Sequence, residues 1–263
     1  MTVGRIDLRN VSVTFVSRSG QPYPAVANVN LMVDSGQFLC LLGPSGCGKS
    51  TLLNIIAGFE HPTRGEALMD GMPIKGPDTR RTMIFQNVQG ALMPWLSAGE
   101  NVGFGLRLRG MPKSERAETV SRYLRLVGLE RHATKFPFEL SGGMKQRVQI
   151  ARALANDPEV LLMDEPFGSL DAHTRGVLQR ELLGIWGEMH KTIIFVTHDV
   201  IESVLLADRV AVMAPGPNAH IVRLLDIDCP RPRLISDPAV GSLAHQIEEL
   251  IQPTVGTVGE IAR

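Results

Sequence analysis

Phe38-Leu39-Cys40-Leu41-Leu42-Gly43-Pro44-Ser45-Gly46-Cys47-Gly48-Lys49-Ser50-Thr51-Leu52-Leu53 is the stretch that decides the fold. Phe38 to Leu42 is an apolar run that reads as a strand, Thr51 to Ala57 reads as a helix, and Gly43 to Ser50 between them fits G-x-x-x-x-G-K-[ST]. Glycines let the backbone wrap closely, so that successive N–H groups turn inward toward a phosphate, and the helix adds its positive N-terminal end. Gly43, Pro44, Ser45, Gly46, Cys47, Gly48, Lys49, Ser50 and Thr51 are the expected nucleotide contacts. Lys49 supplies a mobile charge for the β- and γ-phosphates, and the Ser50 hydroxyl is placed to ligate Mg²⁺. Cys47 is a small filler at a variable position.

A phosphate loop needs an acid at the tip of a second buried strand. Val160-Leu161-Leu162-Met163-Asp164-Glu165-Pro166 has that form: four apolar residues, two carboxylates and a terminating proline. Asp164 is expected in the Mg²⁺ shell, and Glu165, pointing differently, is expected to accept a proton from an attacking water.

Working outward, Ile6 to Phe15, Val29 to Val33, Glu66 to Met69 and Thr82 to Phe85 read as strands between Gly, Asn and Asp punctuation. From Glu100 to Asn156 the period becomes helical, with Val120, Leu124 and Val127 on one face and Val148, Ile150, Ala151 and Leu154 on another. Val160 to Met163 and Thr192 to Val196 are continuous apolar runs, as strands buried on both faces are, with a helix over Asp171 to His190 between them. After the Pro-rich segment Cys229 to Arg233, a last helix is expected from about Pro238 to Ile251. The fold class is α/β.

The composition narrows the partners. Of the 263 residues, 27 are Lys or Arg and 27 Asp or Glu, so the chain has no basic excess and nucleic acid is not an expected partner. No apolar run approaches the roughly 18–20 residues of a membrane-spanning helix. Asp7 stands where a signal peptide needs an apolar core, which makes the expected location cytoplasmic. Cys40, Cys47 and Cys229 have no metal-binding spacing, and no disulfide framework is expected.

Leu140-Ser141-Gly142-Gly143-Met144-Lys145-Gln146-Arg147 resembles the signature motif of the ABC-transporter ATPases. Gln86 in Met83-Ile84-Phe85-Gln86 resembles that family's Q-loop, Gly168-Ser169-Leu170-Asp171 its D-loop, and His198 in Val196-Thr197-His198-Asp199 its switch histidine. The resemblance runs from Phe15 to His198. It implies a phosphate-loop NTPase core with a mostly parallel sheet, an N-terminal antiparallel β subdomain and an inserted α-helical subdomain. The whole is expected to be one domain over 1–263: core at about 1–87 and 157–230, helical signature subdomain at about 88–156, and a helical tail at about 231–263. It also implies a mechanism in which two copies face head to tail, each ATP held between the phosphate loop of one and Ser141, Gly142 and Gly143 of the other. In that scheme Glu165 is the general base, His198 the γ-phosphate contact, Gln86 a ligand of Mg²⁺ or water, and Asp171 the D-loop acid. Adenine is expected on Phe15, with Tyr23 in reserve. The family more often has Tyr at the first of these places and Gln where this chain has Met144; a ring face and a backbone contact suffice for both roles.

Members of the family drive membrane transport or work without membranes. A single copy of each motif and no sustained heptad pattern point to transport. The implied partners are a second copy, membrane permease subunits and, indirectly, a substrate-binding protein, with the chain peripheral on the inner face of the cell membrane. Ala91-Leu92-Met93-Pro94-Trp95-Leu96 suits either a docking site for a permease helix or subdomain core. Pro94-Trp95-Leu96, Glu100 to Leu106 and Leu205 to Val210 are similar to importer ATPases of the nitrate, sulfonate and taurine type. The expected cargo is a sulfonate, taurine, nitrate or a related small anion or pyrimidine-like precursor. An exporter ATPase, or a non-transport ATPase of repair or translation, is the alternative. No dedicated C-terminal regulatory domain is expected.

Overall fold

Two kinds of apolar run build two kinds of sheet. The computed structural model describes residues 3–17, 20–86 and 88–251. Strands β1 (Ile6–Val16), β2 (Pro22–Val33), β4 (Arg64–Met69) and β5 (Met72–Pro73) join in antiparallel order β2-β1-β4-β5; β1 and the second half of β2 mix buried with exposed positions, as a sheet with one solvated face does. Strands β3 (Phe38–Leu42) and β8 (Thr192–Thr197) are buried at every position. With β6 (Arg81–Ile84), β7 (Val160–Asp164), β9 (Arg209–Met213) and β10 (Ile221–Asp226) they form a sheet ordered β10-β9-β3-β8-β7-β6. All its pairings are parallel except β9 with β10.

The larger sheet separates two cores, because successive residues of a strand face opposite ways. Phe38, Cys40 and Leu42 enter one core with the inserted helices, whereas Leu39 and Leu41 enter the other with helix α1 (Lys49–Ala57) and the antiparallel sheet. The insertion between β6 and β7 consists of α2 (Val88–Ala91), α3 (Ala98–Val102), α4 (Phe104–Leu108), α5 (Lys113–Leu126) and α6 (Gly142–Ala155). Ser97 starts α3 with a reciprocal cap: its hydroxyl accepts the Glu100 N–H, and the Glu100 carboxylate accepts the Ser97 N–H. Helices α7 (Ala172–Met189), α8 (Val200–Leu206) and α9 (Pro238–Ile251) close the same side.

The expected antiparallel and mostly parallel sheets are both present, with differences in single elements. Strand β2 starts at Pro22 rather than Val29: it is an edge strand, where Pro22 and Pro24 cost no ladder bond. Strands β9 and β10 lie beyond the strands read from the sequence; β10 is a half-exposed edge without alternation. Asp171 and His190, expected as helix ends, are the two caps of α7. The tail is described as far as Ile251, and the rest of 231–263 lies outside the described residues.

Candidate active site

Strands β3, β8, β7 and β6 are neighbours and run in the same direction, so they end at one edge of the sheet. The crevice beyond the carboxyl ends of such strands is where open α/β sheets bind ligands. The loops leaving these four strands carry, in spatial order, the phosphate loop, His198, Asp164 with Glu165, and Gln86.

The phosphate loop turns through left-handed glycines, Gly46 at φ 78° and Gly48 at φ 85°. A Cβ on Gly48 would also come within 2.6 Å of Val26 Cγ2, so no other residue fits there. Helix α1 starts at Lys49 and aims its N-terminal end into the loop. The Lys49 side chain is not free: only 5% exposed, its Nζ donates to the carbonyls of Gly43 at 2.7 Å and Pro44 at 2.9 Å. Its ammonium therefore lies in the concavity that the loop forms.

Beside it the Ser50 hydroxyl donates to Asp164 Oδ1 at 3.1 Å. Burial is the main cause that pushes the Asp164 carboxyl up, against the Ser50 hydrogen bond and the Lys49 charge. A desolvated carboxylate beside a hydroxyl oxygen is the donor set that a hard cation such as Mg²⁺ takes, and bound charge would offset that burial.

Glu165 is the meeting point of the other two loops. Its Oε2 accepts Gln86 Nε2 at 3.2 Å and lies 3.1 Å from His198 Nδ1. Its backbone is held at φ 42°, a conformation a non-glycine residue adopts only under constraint, with its N–H on the Val196 carbonyl at 3.1 Å. That turn is what makes Glu165 diverge from its neighbour Asp164.

Phe15 and Tyr23 face each other directly across β1 and β2, so both rings lie on one face of the sheet, and both are exposed. The Tyr23 hydroxyl and the Gly46 carbonyl oxygen both lie within 3.4 Å of the point where a Cβ on Gly216 would stand. The reserve aromatic thus reaches the rim of the phosphate loop.

The signature residues are placed apart from this cluster. Ser141 caps α6, its hydroxyl accepting the Met144 N–H at 3.3 Å, and Gly142 and Gly143 form the first turn. A Cβ on Gly143 would stand 2.7 Å from Thr174 Cγ2, so this glycine lets α6 approach the start of α7. None of the described hydrogen bonds joins them to the phosphate loop of their own chain. Asp171 caps α7 through Thr174, whose N–H and hydroxyl hold its carboxyl below the usual range. Sequence reasoning passed over Thr197, Asp199 and Glu202, which bond one another around His198. The signal was the Asp199-x-x-Glu202 spacing, a helix cap directly after the histidine.

Residues 26–168, which include the phosphate loop, Glu165 and the signature, match the family model described as ABC transporter. The chain belongs to the ABC transporter family. It carries that family's ATPase domain. It is 47% identical to the nitrate import ATP-binding protein NrtD of Synechococcus elongatus, over 89% of this chain and 86% of that protein. It is 50% identical to the taurine import ATP-binding protein TauB of Roseobacter denitrificans, over 81% and 78%. A solved ATP-binding cassette, a dimer in a post-hydrolysis state bound to ADP and Pi, matches with a TM-score of 0.74 at 34% identity, covering 86% of this chain and all of that one. Among the described residues of this ABC subunit, no helix is long and apolar enough to cross a membrane.

Proposed function

We propose that this ABC subunit powers import of a small anion of the nitrate, taurine or sulfonate class through a separate membrane permease, by hydrolysing ATP at sites shared between two copies. The observation that carries the reading is the row of four loops at one sheet edge, with Glu165 in contact with both Gln86 and His198. The relatives named as nitrate and taurine import proteins supply the direction and the cargo class.

In this scheme Lys49 leaves the Gly43 and Pro44 carbonyls for the β- and γ-phosphates, and Gly43 to Thr51 wrap the polyphosphate. Ser50, Asp164 and Gln86 would hold Mg²⁺, which supplies charge neutralisation at the phosphates. Glu165 accepts the proton of the attacking water, and His198 leaves Glu165 to meet the γ-phosphate. Phe15 stacks the adenine, with Tyr23 beside it. Ser141, Gly142 and Gly143 act on the ATP of the other copy, consistent with the exposure of Ser141 and Gly142 and with none of the described hydrogen bonds joining the three to their own loop. Asp171 then belongs to the copy-to-copy face. We read about 1–87 and 157–230 as core and about 88–156 as the signature subdomain.

The aromatic cluster after Gln86 divides in two. Leu92 and Leu96 are buried and pack the subdomain, whereas Trp95 is 72% exposed. Trp95, and separately the exposed, stacked Phe59 and Phe85, whose centroids are 6.4 Å apart, are apolar surface suited to a permease helix. A binding protein that selects the anion outside the cell completes the assembly, and the subunit itself sits on the inner face of the membrane.

The test is uptake of labelled nitrate and of labelled taurine by cells carrying Glu165→Gln at the native locus. Loss of one of the two uptakes supports the reading. Normal uptake of both, with the variant protein present at its usual level, contradicts it.

A further inference from the structure

The backbone on both sides of His198 is held by side chains that the scheme above leaves unused. Thr197, just before it, is buried: its hydroxyl accepts the Asp199 N–H at 3.1 Å and donates to Glu202 Oε2. The other oxygen of Glu202 accepts the Gln179 amide of α7 at 2.8 Å. Asp199, just after the histidine, divides its two oxygens. Oδ1 accepts the Glu202 N–H at 3.0 Å and caps α8, while Oδ2 faces Arg175 NH1 at 3.5 Å. Arg175 in turn gives NH2 to the Leu170 carbonyl at 3.2 Å, inside the segment Gly168-Ser169-Leu170-Asp171.

Capping α8 needs only Asp199 Oδ1. The remaining contacts bring a carboxylate, a guanidinium and an amide into a half-buried interface, which costs stability unless each is bonded. Burial indeed pushes the Glu202 carboxyl up. What the extra groups accomplish is geometric: they tie the loop carrying His198 to α7 on one side and to the Leu170 carbonyl on the other.

We propose that Arg175 and Glu202 are positioning residues that set His198 against Glu165, Glu202 by tying its loop to α7 and Arg175 by linking it to the Gly168–Asp171 segment. A displacement of the Leu170 carbonyl moves Arg175, and through Asp199 it moves the backbone that carries the imidazole. The segment also meets Glu165 at its backbone, where the Gly168 N–H donates to the Glu165 carbonyl at 3.1 Å, so it is placed to set the rate of hydrolysis through both members of the Glu165–His198 pair. The inference rests on the roles proposed above for His198 and Glu165.

The experiment measures phosphate release from Mg-ATP by the purified full chain. Asp199→Asn keeps the cap acceptor but turns an amide NH₂ toward Arg175, breaking only the outward link. We expect kcat to fall about tenfold or more while KM for ATP stays within about twofold, at an unchanged melting temperature. Glu202→Gln and Arg175→Met should behave likewise, and Arg175→Lys should recover part of the loss, because an ammonium reaches one of the two acceptors. In a His198→Ala background Asp199→Asn should have no further effect, since the two act as one unit. Turnover of Asp199→Asn within about twofold of the parent, a loss that merely tracks lowered melting temperature, or a loss that multiplies that of His198→Ala overturns the inference. A His198→Ala protein that is slow beside a fast Asp199→Asn protein sinks the inference alone. A His198→Ala protein at the parent rate sinks the site reading as well.

Discussion

The Glu165 carboxylate and the His198 imidazole meet at 3.1 Å, although they leave different strands and only 16% of one side chain, against 57% of the other, is exposed. The pairing follows from strand order, because β7 and β8 are adjacent and parallel, so their exit loops share an edge. It leaves the Glu165 carboxylate held from two sides, by Gln86 and by His198, with the histidine the more exposed of the pair.

Lys49→Ala removes the cation proposed for the β- and γ-phosphates and leaves the Gly43 and Pro44 carbonyls without their donor. Charge-assisted contacts of this kind contribute about 1.5–3 kcal/mol each, so ATP affinity should fall roughly ten- to a hundredfold. Titration calorimetry with ATP reads this directly, and an unchanged Kd contradicts the assignment.

The two facing rings can be told apart. Loss of a base-stacking ring costs about 1–3 kcal/mol, so the variant that removes the adenine platform should raise KM for ATP about five- to a hundredfold. Phe15→Ala is expected to do so, with a smaller effect from Tyr23→Ala. The reverse order assigns the platform to Tyr23.

Ser141→Arg places a long cation at the exposed start of α6, where the scheme puts the other copy's ATP. Loss of the cap costs about 1 kcal/mol, which leaves the monomer folded. ATP-driven dimerisation should nevertheless be absent on gel filtration of the Ser141→Arg, Glu165→Gln protein. A dimer that still forms argues against the shared site.

Arg233 is buried and donates to four carbonyls, those of Val204, Ala207, Ile227 and Cys229, at 2.6–3.0 Å. It pins the segment before α9 onto the end of α8. Arg233→Met leaves those acceptors unpaired and should cost about 3 kcal/mol, a fall of roughly 5–10 °C in Tm by calorimetry. A shift under about 2 °C would mean water replaces the guanidinium.

What the residues disclosed depended on how much their chemistry constrains them. The phosphate loop, the Asp164-Glu165 pair and the strands β3, β7 and β8 were legible, because polyphosphate and double burial each demand particular residues at fixed spacing. β10 and the first half of β2 were not, since an edge strand with mixed exposure carries neither alternation nor a continuous apolar run. The roles of Gln86 and His198 were accessible through resemblance, but their joint contact with Glu165 depends on β8 lying between β3 and β7, a spatial order that no local pattern contains. The Leu170, Arg175 and Asp199 chain was missed for the same reason: it joins the two ends of a strand-and-helix unit whose packing alone brings them together.

The central claim is that Glu165 is the base for ATP hydrolysis in this subunit, and phosphate release by Glu165→Gln tests it most directly. The amide keeps the size and the contacts of the side chain but cannot take a proton. Turnover should fall at least about a hundredfold while ATP still binds and, with Mg²⁺ present, holds a dimer on gel filtration. Hydrolysis at the parent rate by a folded Glu165→Gln protein would contradict the account.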